Sequence, residues 1–144
     1  MIRQLNENEY GQVSKIALEV YTQCGTNDFD TEGLELFKDF IYDSDSMRHL
    51  TIYGAFDHDI LIGILATKDR GEHISLFFIR KEYHRKGIGK KLFEFAYIHK
   101  PVKEITVNSS SYAVRFYQSL GFKKVGEKQQ TDGLTYTPMT YVCN

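Results

Sequence analysis

The stretch HRKGIGKK, residues 84–91, sets two glycines among basic side chains and runs straight into LFEFAYIHK. A turn needs one glycine and a helix start needs none, so the pair asks for a backbone that something approaches closely. Upstream, HISLFFIR has the β-branched and aromatic content of a strand ending near Ile79. Downstream, Ile88, Leu92, Phe95 and Ala96 recur at helical spacing. Strand, glycine loop and helix together form an arrangement suited to phosphate. The first amides of a helix have no partner within it, and the helix dipole adds partial positive charge there. Arg85, Lys86, Lys90 and Lys91 add cations. A flexible turn before a solvated basic helix is the plainer reading of the same letters. The NTPase loop G-x-x-x-x-G-K-[ST] is not met, and the dinucleotide pattern G-x-G-x-x-G fails at Leu92.

The rest of the chain bounds the function. Its 144 residues suit one domain spanning 1–144, and 42% hydrophobic with 26% charged residues is ordinary for a soluble globular protein. A net charge of −1 argues against nucleic acid held by bulk electrostatics. His49, His58, His73, His84 and His99 form no i,i+4 pair and have no cysteine at ligand spacing, so no metal is expected. Cys24 and Cys143 fit a reduced cytoplasm and leave a disulfide between them open. The N-terminus MIRQLNENEY has no apolar signal core and no run approaches a membrane span. The expectation is a cytoplasmic protein with neither nucleic-acid nor membrane partners.

The periodicity predicts the elements that position the glycine loop. A short strand over residues 2–5 precedes a helix capped by Asn6 or Asn8, with Tyr10, Val13, Ala17, Val20 and Tyr21 on one face. A second helix, capped by Thr31, carries Leu34, Phe37 and Ile41 inward. HLTIYGAF and ILIGILAT form a hairpin around Asp57, His58 and Asp59, and HISLFFIR follows as a third strand. Pro101 marks the end of the helix after the glycine loop, and VKEITV is a further strand. A last helix, capped by Ser110 or Ser111, ends at Gly121, and FKKVGE and LTYTPMTYV close the chain as two strands. The order β-α-α-β-β-β-α-β-α-β-β implies a mixed α/β (α+β) domain whose central sheet carries helices on both faces.

Two stretches together resemble a known family. KEYHRKGIGKKLFEF resembles motif A of the GNAT acetyltransferase superfamily, [QR]-x-x-G-x-[GA] opening a helix. VNSSSYAVRFYQSLGF resembles its motif B, a strand, an A-x-x-x-Y helix and a terminal L-G-F. The element order matches as well, so the resemblance covers essentially the whole chain.

The resemblance implies acetyl-CoA as cosubstrate, entering where HISLFFIR and VKEITV splay apart. Its pantetheine arm is expected along the backbone of Phe77, Phe78 and Ile79. Its pyrophosphate is expected on the amides of Arg85, Lys86, Gly87, Ile88, Gly89 and Lys90. Tyr117 stands at the position of the family tyrosine that faces the thioester sulfur, where a phenol protonates the leaving thiolate. His84 replaces the usual Gln or Arg of motif A. Ser110 stands where the family often has Asn, with Asn108 two residues earlier as the other candidate contact.

Some family members place a glutamate base early in the glycine-loop strand, and His73 occupies that place, with an intrinsic pKa suited to neutral pH. The family's acceptor wall corresponds here to Asn27, Asp28, Asp30 and Glu32, acids able to attract a cationic amine. The expected activity is transfer of acetyl from acetyl-CoA to a primary amine by direct attack in a ternary complex. A small molecule, a peptide N-terminus and a protein lysine all remain open as acceptor. A non-catalytic acyl-CoA sensor on the same fold is the alternative. LTYTPMTYV, as an edge strand, would allow a homodimer.

Overall fold

The computed structural model describes residues 1–98 and 102–143. Pro101, expected to end the helix after the glycine loop, lies outside them. Strand β1 (Ile2–Gln4) leads into a 3-10 turn, Glu7–Glu9, closed by a capping box in which the Asn6 amide donates to Glu9 at 2.9 Å. Asn6 thus caps the turn that leads into the helix, while the helix itself has Glu9 at its N-cap position, so neither Asn6 nor Asn8 caps it directly. Helix α1 (Tyr10–Cys24) then buries Val13, Ile16, Ala17, Val20 and Tyr21.

Helix α2 (Thr31–Tyr42) is capped by Asp30, whose carboxylate accepts from the Gly33 amide at 2.9 Å. Thr31, the expected cap, is the first helical residue instead. A carboxylate there satisfies an orphan amide and complements the dipole, which a hydroxyl does less well. A short helix α3 (Ser44–Arg48) follows, capped by Asp43. Five residues are too few to show a helical period, so it escaped the sequence reading.

Strands β2 (Thr51–Asp57), β3 (Ile60–Lys68) and β4 (His73–Ile79) form an antiparallel meander. His58 takes the left-handed conformation, φ 56°, in the β2–β3 turn. Helix α4 (Ile88–Tyr97), strand β5 (Glu104–Ser109) and helix α5 (Val114–Leu120) come next. The chain closes with β6 (Lys123–Lys124), β7 (Gln129–Thr131) and β8 (Leu134–Val142). The sheet has eight strands in the order β1-β2-β3-β4-β5-β8-β6, with β7 also on β8. Helices α1, α2 and α3 cover one face, over Ile16, Ile41, Met47, Ile52 and Ile64. Helix α4 and helix α5 cover the other, over Leu92, Phe93, Ile105, Val107 and Tyr117. The expected class and order hold, with α3 and β7 added.

The closing strands need one correction. Asp132 and Gly133 take φ of 52° and 81°, the left-handed pair of a two-residue hairpin turn, and fold β7 back onto β8. Strand β8 therefore pairs with β5 on one side and with β6 and β7 on the other. It is not an edge, and its backbone is not free to pair across a dimer. Both cysteines are free thiols, packed in separate clusters. Among the described residues no helix is long and apolar enough to cross a membrane.

Strand β4 carries the feature that makes the site. Ala66 pairs with Leu76 and Thr67 with Ile74, so Ser75 is a bulge without a partner on β3. Among the described residues the one parallel ladder, between β4 and β5, stops at the same place with Ile74 opposite Val107. Beyond that pair the two strands separate.

Candidate active site at the split between two strands

No β5 residue pairs with β4 beyond Ile74, so one backbone edge of β4 has no strand beside it up to Ile79, whose carbonyl accepts from His84. Backbone amides and carbonyls in that position call for a partner, and an extended ligand can supply one in the manner of an added strand. Two cavities meet at the split, and Phe77, Ala113 and Tyr117 line both.

The larger, about 600 Å³, runs from Phe77 and Ile79 over the start of α4. Among the described residues no side chain caps α4, so the amides of Ile88, Gly89 and Lys90 are left to a ligand. The charged side chains lining this space, Arg85, Lys90 and Arg115, are all basic. Gly87 sits at φ 79°, where only glycine is unstrained, and a Cβ added there would meet nothing within 4 Å. Open space over an uncapped, basic helix start is a cradle for an anion.

Gly89 has a different reason. A Cβ there would fall 2.7 Å from Cζ of Phe116, so this glycine lets α4 pack closely on α5. The space beyond the missing Cβ is thus open at Gly87 and filled by Phe116 at Gly89. The His84 Nε2 lies 2.6 Å from the Ile79 carbonyl oxygen, and since a carbonyl only accepts, Nε2 carries the proton. His84 thereby closes the loop on the end of β4. The Lys86 ammonium sits 5.4 Å from the Tyr83 ring centroid and does not line this cavity.

The second cavity, about 440 Å³, opens on the other face between α1, α2 and the β7–β8 hairpin. Tyr21 and Phe37 form one wall, Leu134 and Tyr136 another, with Phe78, Asn108 and Ser110 toward the split. The hairpin is seated on α2 by a glycine contact: the Asp30 amide donates to the Gly133 carbonyl at 3.0 Å. A Cβ on Gly33 would lie 2.1 Å from that oxygen.

Tyr117 stands between the cavities, only 4% exposed, with Phe77 and Phe122 ring centroids 6.0 and 5.3 Å away. Among the described residues its hydroxyl bonds to no other group, and none of their buried polar side-chain atoms lacks a partner. Its side chain lines both cavities and so stands at the split. Burial pushes its pKa far above that of a free phenol, with Tyr112 and Tyr97 adding to the effect, so it carries its proton.

Residues 25–143 match the sequence model of the acetyltransferase (GNAT) domain. The chain belongs to the GNAT acetyltransferase family. A GCN5-related N-acetyltransferase from Rhodopseudomonas palustris superposes with a TM-score of 0.82 at 17% identity, covering 99% of this chain and 95% of the other. The PaiA N-acetyltransferase of Thermoplasma acidophilum, solved with coenzyme A, gives 0.79 at 21% identity, covering 99% and 98%. An aminoglycoside 6'-N-acetyltransferase, also solved with coenzyme A, gives 0.64 at 12%, covering 99% and 96%. At these identities the likeness speaks for the fold.

In this GNAT domain the structure gathers Phe77, Ile79, Arg85, Gly87, Ile88, Gly89, Lys90 and Tyr117 around the larger cavity. Phe78, Asn108 and Ser110 join Phe77 and Tyr117 around the smaller one. His73 lines neither. Its Nδ1 lies 2.7 Å from the Thr106 hydroxyl, in a polar cleft with Glu72 and Glu104 that shares Asn108 with the smaller cavity. Burial there, helped by Lys68, lowers its pKa.

Sequence reasoning missed three parts of the site. Arg115, the second residue of α5, was not among the expected site residues. The hairpin wall was signalled only by Asp132-Gly133. Asp28, read as an acid facing the acceptor, is 2% exposed and bonded to Ser111 at the start of the Tyr117 helix. Asp30 is likewise occupied as the cap of α2.

Proposed function

We propose that this GNAT domain is an acetyl-CoA-dependent N-acetyltransferase that acts on a primary amine by direct attack in a ternary complex. The observation that carries the reading is one continuous feature: the unpaired edge of β4 runs directly into an uncapped, basic helix start. A long ligand with an extended amide-bearing arm and a pyrophosphate fits both parts. The two compared structures solved with coenzyme A support the choice of ligand.

The residues divide the work. Phe77, Phe78 and Ile79 offer backbone groups to the arm, the Ile79 carbonyl being shared with His84, with Asn108 on the facing strand β5 and Ser110 just past its end. Amides from Arg85 to Lys90 offer donors to the pyrophosphate, and Arg85, Lys90 and Arg115 supply counter-charge. Acetyl-CoA supplies an activated acetyl thioester. The open β4 amides stand ready to polarise a carbonyl oxygen there, and holding both reactants at the split supplies orientation. Tyr117, neutral and facing the split, delivers a proton to the departing sulfur. His73 acts through water, along the cleft that meets the smaller cavity at Asn108.

The test is thiol release from acetyl-CoA with a panel of amines, run beside Tyr117→Phe. Slowed turnover with unchanged acetyl-CoA binding in the variant supports the enzyme. Tight binding with no turnover by the parent on any amine would instead make the protein an acyl-CoA sensor.

A further inference from the structure

The smaller cavity differs from the larger in charge as well as in face. Among the described residues lining it, Asp132 is the only charged side chain. The neighbouring acids Asp28 and Asp30 are already committed to Ser111 and Gly33. The walls are otherwise largely aromatic and aliphatic: Tyr21 and Phe37 stack with centroids 4.4 Å apart, and Leu134 and Tyr136 face in from the hairpin. The Tyr136 hydroxyl lies 3.2 Å from that of Thr131 within the hairpin, so it is partly satisfied there. At about 440 Å³ the space is in the size range of small-molecule sites.

This lining selects by charge count. One ammonium finds a carboxylate and several π-faces. A second ammonium would stand against apolar walls with no counter-charge, at a desolvation penalty. A substrate carboxylate would find no cation and would be repelled by Asp132. An aromatic or branched aliphatic body gains by burying apolar surface against the rings.

We propose that the acceptor is a monocationic primary amine on an apolar body, of the arylalkylamine kind, rather than a polyamine or an aminosugar. This rests on the transferase reading and narrows its substrate. The amine reacts as RNH₂, having given one proton to solvent. Its lone pair forms the N–C bond to the acetyl carbon and the C–S bond breaks. The sulfur takes the Tyr117 proton, and the nitrogen's second proton returns through solvent to Tyr117. The sum is RNH₃⁺ plus acetyl-CoA giving RNHCOCH₃, CoA-SH and H⁺.

The experiment compares 2-phenylethylamine, spermidine and kanamycin as acceptors for the intact chain, by thiol release and product mass, with acetyl-CoA binding measured separately. It is repeated with Asp132→Asn, which keeps the turn because asparagine also tolerates the left-handed φ. The expected result is a kcat/KM for 2-phenylethylamine at least tenfold above the other two. In Asp132→Asn its KM should rise about three- to tenfold with kcat little changed. Equal or better use of spermidine or kanamycin overturns the proposal. So does an unchanged KM in Asp132→Asn, or no acetylation of the three by a protein that binds acetyl-CoA. Failure to bind acetyl-CoA is a separate result that removes the transferase reading beneath it.

Discussion

The carboxylate of Asp28 accepts from both the amide and the hydroxyl of Ser111, at 2.7 and 2.6 Å, across 83 residues of sequence. The Asp28 carbonyl also accepts from the Thr135 amide at 2.7 Å. One residue of the α1–α2 loop thus ties the 3-10 turn that leads into α5 to strand β8. Asp28→Ala leaves the half-buried Ser111 amide and hydroxyl unpaired and should cost about 2–4 kcal/mol of stability. Ser111→Ala removes one bond only and should cost about 1 kcal/mol. Thermal or urea unfolding of the two variants checks the difference. Equal losses would show that the carboxylate is not the tie.

Tyr117 is a proton donor in this account, and its raised pKa sets a sign. A folded pKa above the free phenol value keeps the neutral form present through about pH 10. The turnover rate should therefore rise with amine deprotonation and show no loss from phenol ionisation below that pH. Tyr117→Phe should lower kcat on the order of a hundredfold. A loss of activity on the alkaline side between pH 8 and 10 that vanishes in Tyr117→Phe would contradict the assignment.

The two glycines of the loop should fail differently. Gly87→Ala forces a side chain into φ 79° and should cost about 1–2 kcal/mol in strain, leaving the packing of α5 intact. Gly89→Ala pushes on Phe116 and should cost about 1–3 kcal/mol through displaced packing. Near-ultraviolet circular dichroism reports the aromatic environment around Phe116 and Tyr117. It should change in Gly89→Ala and stay close to the parent in Gly87→Ala.

His73 offers a pH test. Its pKa is lowered by burial, so the neutral base persists as pH falls through 6.5 and is lost only below it. If it relays a proton, the acid limb of kcat/KM lies below pH 6.5 and disappears in His73→Gln, with a drop on the order of tenfold at pH 7. An identical acid limb in the variant would assign His73 to the Thr106 contact alone.

Most of the frame was legible because it is periodic. Val13, Ile16, Ala17 and Val20 mark α1, and Leu92 and Ala96 mark α4, at spacings that only a helix brings to one face. The bulge at Ser75 was not legible, since nothing in ISLFF distinguishes a bulged residue from a paired one. Strand β7, QQT, has neither β-branched runs nor apolar alternation, and it pairs only because Asp132-Gly133 turns it onto β8. Asp28 was misjudged because burial of an acid depends on a partner that local sequence does not show. The glycine loop lies between a strand and a helix as expected, but Gly89 answers to Phe116, a contact between motifs rather than within one.

The most direct test is a calorimetric titration of the protein with acetyl-CoA, with ATP and NAD as controls. The account predicts saturable one-to-one binding of acetyl-CoA alone, weakened when Arg115 or Arg85 is replaced by Gln and weakened further by salt. Absence of binding in a folded protein, or equal binding of ATP, would contradict the reading of the split and the glycine loop as a site for coenzyme A.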